Sequence, residues 1–202
     1  KKLAFSLWDI CTYPGGYVDC KVVNTDFLQM VSEKGSDPAR YAYKDNTILF
    51  SRMENLDELL NDITKFPVPQ KAERRNRFAA QLLAWRWYYS EGVSKKNAYL
   101  MGLAIQKLVL FSCRLVLNEN EMLYPYHKWL LRVTEQAENK PDQFDETLSQ
   151  VLANHNLDLV NQFSGQVMDF LGIEEKSLDW PNFFLRDSEQ NWLEHEAPID
   201  DL

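Results

Sequence analysis

The first third of the chain alternates between short β-like and short helical patterns. Residues 3–10 and 17–23 are rich in aromatic and β-branched side chains and flank a Tyr-Pro-Gly-Gly turn, which predicts a β-hairpin. Thr25 is the expected cap of a following helix, with Gly35 as its left-handed stop. Pro38 then predicts a brief helix to about residue 44. An extended segment at 47–50 and an amphipathic helix at 55–66 complete this part.

Beyond residue 66 the apolar positions follow a helical period almost throughout. Residues 71–91 place Phe78, Leu82, Trp85 and Tyr89 at spacings of three and four, which predicts one buried helical face. Residues 97–118 are apolar nearly all round and predict a central, enclosed helix. Two more helical regions are expected at 126–138 and 144–171, the second broken near residues 154–156. The sequence therefore predicts a helical bundle, followed from residue 177 by an arm of acidic and aromatic residues.

These patterns predict an α+β protein in two parts. Pro67, Val68 and Pro69 end the preceding helix and mark the expected boundary. We expect residues 1–66 to form a small α/β domain around a hairpin or mixed sheet. Residues 70–202 are expected to form the helical bundle with its aromatic, acidic tail.

Composition narrows the classes of function. The 202 residues are 45% hydrophobic and 13% aromatic, which is enough for a substantial core. A net charge of −8 opposes sequence-independent binding to the phosphates of nucleic acid. The three cysteines lack the paired spacing of a zinc site, and a reducing compartment fits best. No signal peptide is visible, and Gln106, Lys107 and Arg114 interrupt the most apolar stretch, so we expect a cytoplasmic protein with no membrane span.

The most informative segment is the strand that contains Asp19. Side chains alternate across a strand, so Asp19 shares one face with Tyr17 and Lys21, while the opposite face is apolar. Here the sequence resembles the nucleotidyltransferase superfamily that includes the aminoglycoside and lincosamide nucleotidyltransferases. In that family a strand after the main motif presents the third metal-site carboxylate, and Asp19 matches this position. The order of the later elements is also similar, ending in an all-helical domain.

The resemblance implies a catalytic and metal-binding role for Asp19. Nucleotidyl transfer uses divalent ions, here Mg²⁺ by resemblance, and several carboxylates hold them. The family's Gly-Ser turn, followed by two carboxylates one residue apart, does not occur in these 202 residues. Either that catalytic strand is missing from this chain, which its start at Lys1 favours, or the protein is a degenerate relative. The alternative for Asp19 is a structural residue paired across the sheet or with Lys21.

Basic and titratable side chains supply the expected contacts to substrate. Lys107 and Arg114 stand seven residues apart on the central helix and so share one stripe, which predicts a cleft wall that meets an anionic substrate. Structural ion pairs with neighbouring helices are the alternative. His127, set among aromatic residues, is either a structural histidine or a base. The full set of expected substrate-binding residues comprises Lys21, Arg40, Arg77, Lys107, Arg114, His127 and Lys128.

Two classes of function stay open at this point. The first is an enzyme that transfers a nucleoside monophosphate from a nucleoside triphosphate to a hydroxyl of a small molecule or other acceptor. The second is a catalytically inactive relative that acts as an interaction module, whose aromatic tail docks on a partner or on a second copy of the chain. The residues encoded before Lys1 would separate these two classes.

Overall fold

The protein is an α+β molecule, 64% helical, and its computed structural model describes residues 4–194 and 196. A two-stranded sheet opens the chain. The elements of residues 4–64 are β1 (Ala4–Leu7), β2 (Val18–Lys21), α1 (Thr25–Lys34), α2 (Asp37–Tyr41) and α3 (Leu56–Thr64). The later helices are α4 (Lys71–Ser94), α5 (Ala98–Glu119), α6 (Leu130–Glu135), α7 (Phe144–Ala153), α8 (Leu157–Leu171) and α9 (Trp180–Phe184).

The chain divides into two compact units, residues 1–65 and 66–202. In the first, α1 and α3 bury a small core of Leu28, Val31, Leu60 and Ile63. Strands β1 and β2 pair antiparallel in this unit, so the predicted hairpin is confirmed. Both strands are exposed along most of their length, and the core of this unit lies between helices.

Helix α1 begins and ends differently from the prediction. Its cap is Asn24, whose side chain accepts a hydrogen bond from the Phe27 amide, and Thr25 is the first helical residue. Gly35 has φ −62° and ψ 141°, so it is not a left-handed stop. A glycine is still required there, because an added Cβ would lie 2.5 Å from the carbonyl oxygen of Val31.

The extended segment predicted at residues 47–50 does not form a strand. Leu49 is 93% exposed and Phe50 77% exposed, and neither pairs with a strand among the described residues. A threonine followed by three apolar residues favours a strand only where a sheet edge can pair with it. The sheet in the described part of the chain ends at β1 and β2.

The second unit is organised around α4 and α5, which form its largest helix pair. The predicted central helix is confirmed. Asn97 caps α5, and the residues buried along it are Ala104, Ile105, Leu108, Val109, Ser112, Cys113, Leu115, Val116, Leu117 and Asn118. The predicted break near residues 154–156 separates α7 from α8. The helix predicted at 126–138 is shorter, since a 3₁₀ turn at His127–Trp129 precedes α6.

By length and composition alone, α5 is also apolar enough to cross a membrane, the one such helix among the residues described. Half of that apolar window is buried inside the protein. The buried side chains of α5 pack within the helical unit.

The end of the described chain folds back onto α4. Helix α9 packs against α4 and continues into a π-helical turn at Leu185–Glu189 and a 3₁₀ turn at Asn191–Leu193. The rings of Phe184 and Trp85 meet edge to face, with their centroids 6.2 Å apart. We call residues 180–193 the C-terminal arm.

Candidate functional site

Asp19 lies in β2, directly opposite Ser6 of β1. The Ser6 hydroxyl donates a hydrogen bond to the Asp19 carboxylate, so Asp19 has the partner across the sheet that the structural alternative predicted, and its side chain is exposed. On the same face, Tyr17 stacks on Trp8 with ring centroids 4.6 Å apart, and Lys21 is opposite Ala4. This face of the hairpin thus presents one carboxylate, one hydroxyl, the exposed Lys21 side chain and an exposed aromatic pair.

The other face of the hairpin is apolar and open. Phe5 is 41% exposed, Leu7 39% and Val18 40%. Leu7 and Val18 are direct partners across the two strands. An isolated two-stranded hairpin is only marginally stable, because it lacks a third strand or a helix packed on its apolar face.

Asp19 does not form a magnesium site by itself. Among the described residues, no group of three or more His, Cys, Asp or Glu side chains is placed to hold a metal ion. Mg²⁺ takes oxygen ligands in octahedral geometry, and a two-metal centre needs several carboxylates. Asp19 and the Ser6 hydroxyl provide too few ligands for such a centre.

The Arg40 guanidinium donates hydrogen bonds to three backbone carbonyls within the first unit. Arg40 is only 8% exposed. Its Nε donates to the Gly35 oxygen at 3.0 Å, Nη1 to the Ile63 oxygen at 3.3 Å and Nη2 to the Ser32 oxygen at 2.6 Å. The guanidinium therefore joins the C-terminal ends of α1 and α3, where carbonyls lack helical partners.

A groove of about 770 Å³ lies between α4, α5 and the C-terminal arm. Helix α5 contributes a stripe at intervals of four residues that includes Tyr99, Lys107 and Phe111. Helix α4 contributes its facing stripe. The side chains that line the groove are Arg77, Phe78, Gln81, Trp85, Tyr99, Leu103, Lys107, Phe111, Asp187, Ser188 and Asn191.

Two of the basic residues predicted to bind substrate, Arg77 and Lys107, both line this groove. The Lys107 ammonium lies 5.8 Å from the centroid of the Trp85 ring, a cation–π contact. Arg77 Nε lies 2.7 Å from Oδ2 of Asp187 in the arm. Arg77 is thus an ion-pair anchor for the arm, while Lys107 faces an aromatic wall.

Arg114 occupies a different environment from Lys107. Its guanidinium lies 4.3 Å from the centroid of the Phe78 ring and 4.7 Å from that of Tyr124, so it is stacked between two aromatic rings. Burial raises the pKa of the Tyr124 hydroxyl, and the positive charge of Arg114 partly offsets that rise. Arg114 is not among the residues that line the groove.

His127 and Lys128 stand at the start of the 3₁₀ turn before α6. Nδ1 of His127 lies 3.2 Å from the Tyr124 hydroxyl, and its ring packs against Tyr126. His127 and Lys107 both border a smaller cavity of about 270 Å³. The Lys128 ammonium lies 5.2 Å from the Trp129 ring centroid.

Tyr99, Phe111, Gln81 and the arm residues were not among the residues that the sequence predicted for a site. Tyr99 and Phe111 stand eight residues before and four residues after Lys107, so extending its stripe along α5 would have found them. The contact between Gln81 and Ser188 joins residues 107 positions apart. No local spacing predicts such a contact.

Comparison with protein-family models, with curated proteins and with solved structures finds no match to this chain.

Proposed function

We propose that this chain is part of a nucleotidyltransferase-like protein in which Asp19 is one of the metal-site carboxylates. The observation that carries the proposal is the hairpin itself: Asp19 stands exposed on the polar face of an antiparallel strand, beside the Ser6 hydroxyl. An open strand face can offer a carboxylate to a metal ion or a triphosphate.

The reaction would move a nucleoside monophosphate from a nucleoside triphosphate to a hydroxyl acceptor, with Mg²⁺. The acceptor oxygen would attack the α-phosphorus and pyrophosphate would leave. The described residues do not complete the metal site, so no catalytic step follows from them alone. Further carboxylates must come from outside them.

The test compares the full encoded protein with the 202-residue chain. Each is incubated with Mg²⁺, the four nucleoside triphosphates and a panel of hydroxyl-bearing acceptors, and pyrophosphate release is measured. We expect turnover by the full protein and none by the 202-residue chain. Asp19→Asn should lower the rate about 100-fold or more, the order of loss when a group that stabilises the transition state is removed.

Asp26→Asn is the matched control, since Asp26 is an exposed carboxylate in the first turn of α1. Its turnover should equal that of the wild type. A full protein that releases no pyrophosphate with any acceptor, or that loses nothing with Asp19→Asn, would overturn the proposal.

A second candidate function is an interaction module that associates through the apolar face of the hairpin. Phe5, Leu7 and Val18 are each about two-fifths exposed on that face, which favours binding of a partner there. We propose that the partner is a second copy of the chain.

Light scattering should then show a dimer that Leu7→Lys dissociates. Tyr17→Lys, on the opposite face, should leave the dimer intact. A wild-type monomer at all concentrations would exclude this role.

A further inference from the structure

The groove between α4, α5 and the C-terminal arm has the properties of a small-molecule site. We propose that it binds a planar aromatic anion, with the anionic group at Lys107 and the ring against the aromatic side chains of the groove. This inference stands on the helical unit alone and is independent of the proposed nucleotidyl transfer.

Size and lining both favour a small ligand with a flat ring. The groove volume of about 770 Å³ lies within the range of about 300–1,000 Å³ that is common for such sites. Phe78 and Trp85 line it from α4, and Tyr99 and Phe111 from α5. Tyr99 is 78% exposed, so its ring is available for stacking at the rim.

Hydrogen bonds hold the aromatic wall in place without a ligand. Trp85 Nε1 donates to Gln81 Oε1 at 3.1 Å, and Gln81 Nε2 donates to the Ser188 hydroxyl at 2.8 Å. Phe184 supports the Trp85 ring edge to face. A fixed wall lowers the entropy that binding must otherwise cost.

The charge of the groove selects an anion. Of its lining residues, Arg77 and Lys107 are cationic and Asp187 is anionic, which leaves one net positive charge on a chain whose total is −8. Asp187 already bonds Arg77 at 2.7 Å, whereas Lys107 makes no ion pair within the described residues. The uncompensated cation is therefore Lys107, and it stands beside Trp85.

The neighbouring cavity of about 440 Å³ does not share this selectivity. Its charged lining residues are Arg77 and Arg186 against Glu73, Asp187 and Glu194, a balance of one net negative charge. An anion therefore favours the side of the groove that Lys107 faces.

Calorimetric titration of the whole chain tests the proposal with four probes. Adenosine monophosphate and indole-3-acetate carry a ring and an anion, adenosine carries only the ring, and inorganic phosphate only the anion. We expect each aromatic anion to bind about tenfold or more tightly than adenosine or phosphate. Adenosine monophosphate and adenosine share one ring system, so their comparison isolates the contribution of the anionic group.

Three variants locate the binding. Lys107→Ala should weaken the aromatic anions about tenfold and leave adenosine unchanged. Tyr99→Ala should weaken the binding of all three ring-bearing probes, and because Tyr99 is exposed the substitution should leave the fold intact. Lys44→Ala is the matched control: Lys44 also contacts an aromatic ring, that of Tyr41 at 5.6 Å, but lies in the first unit.

Two results would overturn the inference. One is that neither aromatic anion binds at millimolar concentration. The other is affinity that does not change in Lys107→Ala and Tyr99→Ala while circular dichroism shows both variants folded. Because no turnover is measured, failure of nucleotidyl transfer leaves this test unaffected.

Discussion

Arg40 donates a hydrogen bond from Nη1 to the carbonyl oxygen of Ile63, 23 residues further along the chain. The same guanidinium bonds the carbonyls of Ser32 and Gly35, so one side chain satisfies the ends of two helices. Arginine side chains often bind anions, but the Arg40 guanidinium instead stabilises the fold of the first unit.

Replacement of Arg40 by Ala should therefore destabilise the first unit. The change leaves three carbonyl oxygens without their charged donor, and we expect a loss of about 2–4 kcal/mol in the free energy of unfolding. Hydrogen exchange of the amides in α1 and α3, measured over a urea series, reports on this unit directly. Arg52→Ala is the control, because Arg52 is exposed and contacts only the Phe50 ring in the described structure. Equal effects of the two substitutions would contradict a structural role for Arg40.

Asp187 should hold the C-terminal arm on α4. Its side chain is 11% exposed and accepts from Arg77 at 2.7 Å and from Arg186 at 2.9 Å. Asp187→Asn removes the charge, and we expect about 1 kcal/mol of destabilisation together with faster tryptic cleavage after Arg186.

The comparison variant for the arm is Glu91→Gln. Glu91 pairs with Lys95 at 2.7 Å one turn along α4, where a lost ion pair changes stability by about 0.3–0.5 kcal/mol. Cleavage after Arg186 should not change in this variant. Equal cleavage rates in Asp187→Asn and the wild type would show that other contacts hold the arm.

Cys113 should be unreactive in the folded protein and should make stability depend on pH in the alkaline range. The side chain is fully buried in α5, and burial raises the pKa of its thiol to about 12. At pH 8 a thiol reagent should modify the partly buried Cys11 and Cys20 and reach Cys113 only after unfolding.

The sign of the pH effect follows from the two states. An unfolded thiol ionises near pH 8.5, so its contribution to stability is fully present below that pH and is lost as the pH rises toward the folded pKa of about 12. The free energy of unfolding should fall by about 1.4 kcal/mol per pH unit in this window. Cys113→Ala should lack this slope between pH 8.5 and 10, and Cys11→Ala should keep it. Identical slopes in both variants would assign the effect to other groups.

The sequence predicted the helices well because their packing faces are regular. The period of apolar residues located α4 and α5 to within a few residues, and Asn154 to Asn156 correctly marked the break between α7 and α8. The hairpin was also predictable, since its two segments and their turn are local. These features depend on neighbours in the chain.

Features that depend on distant partners were not predictable from local patterns. The segment at 47–50 has strand-forming residues but no sheet edge to join among the described elements. Arg40 was predicted to bind substrate, and no local spacing reveals its carbonyl partners, which lie in two other helices. Lys107 and Arg114 share a stripe on α5, yet different aromatic neighbours, Trp85 for one and Phe78 with Tyr124 for the other, give them separate environments.

The groove also has an order of assembly that follows from its connectivity. Helices α4 and α5 are consecutive, and the chain between them is only residues 95–97. Ser188, which completes the wall at Gln81, is translated 107 residues later. At about 5–20 residues per second, a ribosome needs roughly 5–20 s to synthesise that interval. Until Ser188 is made, the aromatic side chains of α4, and then those of α5, are on the nascent chain without the arm, and exposed apolar surface of this kind is what molecular chaperones bind.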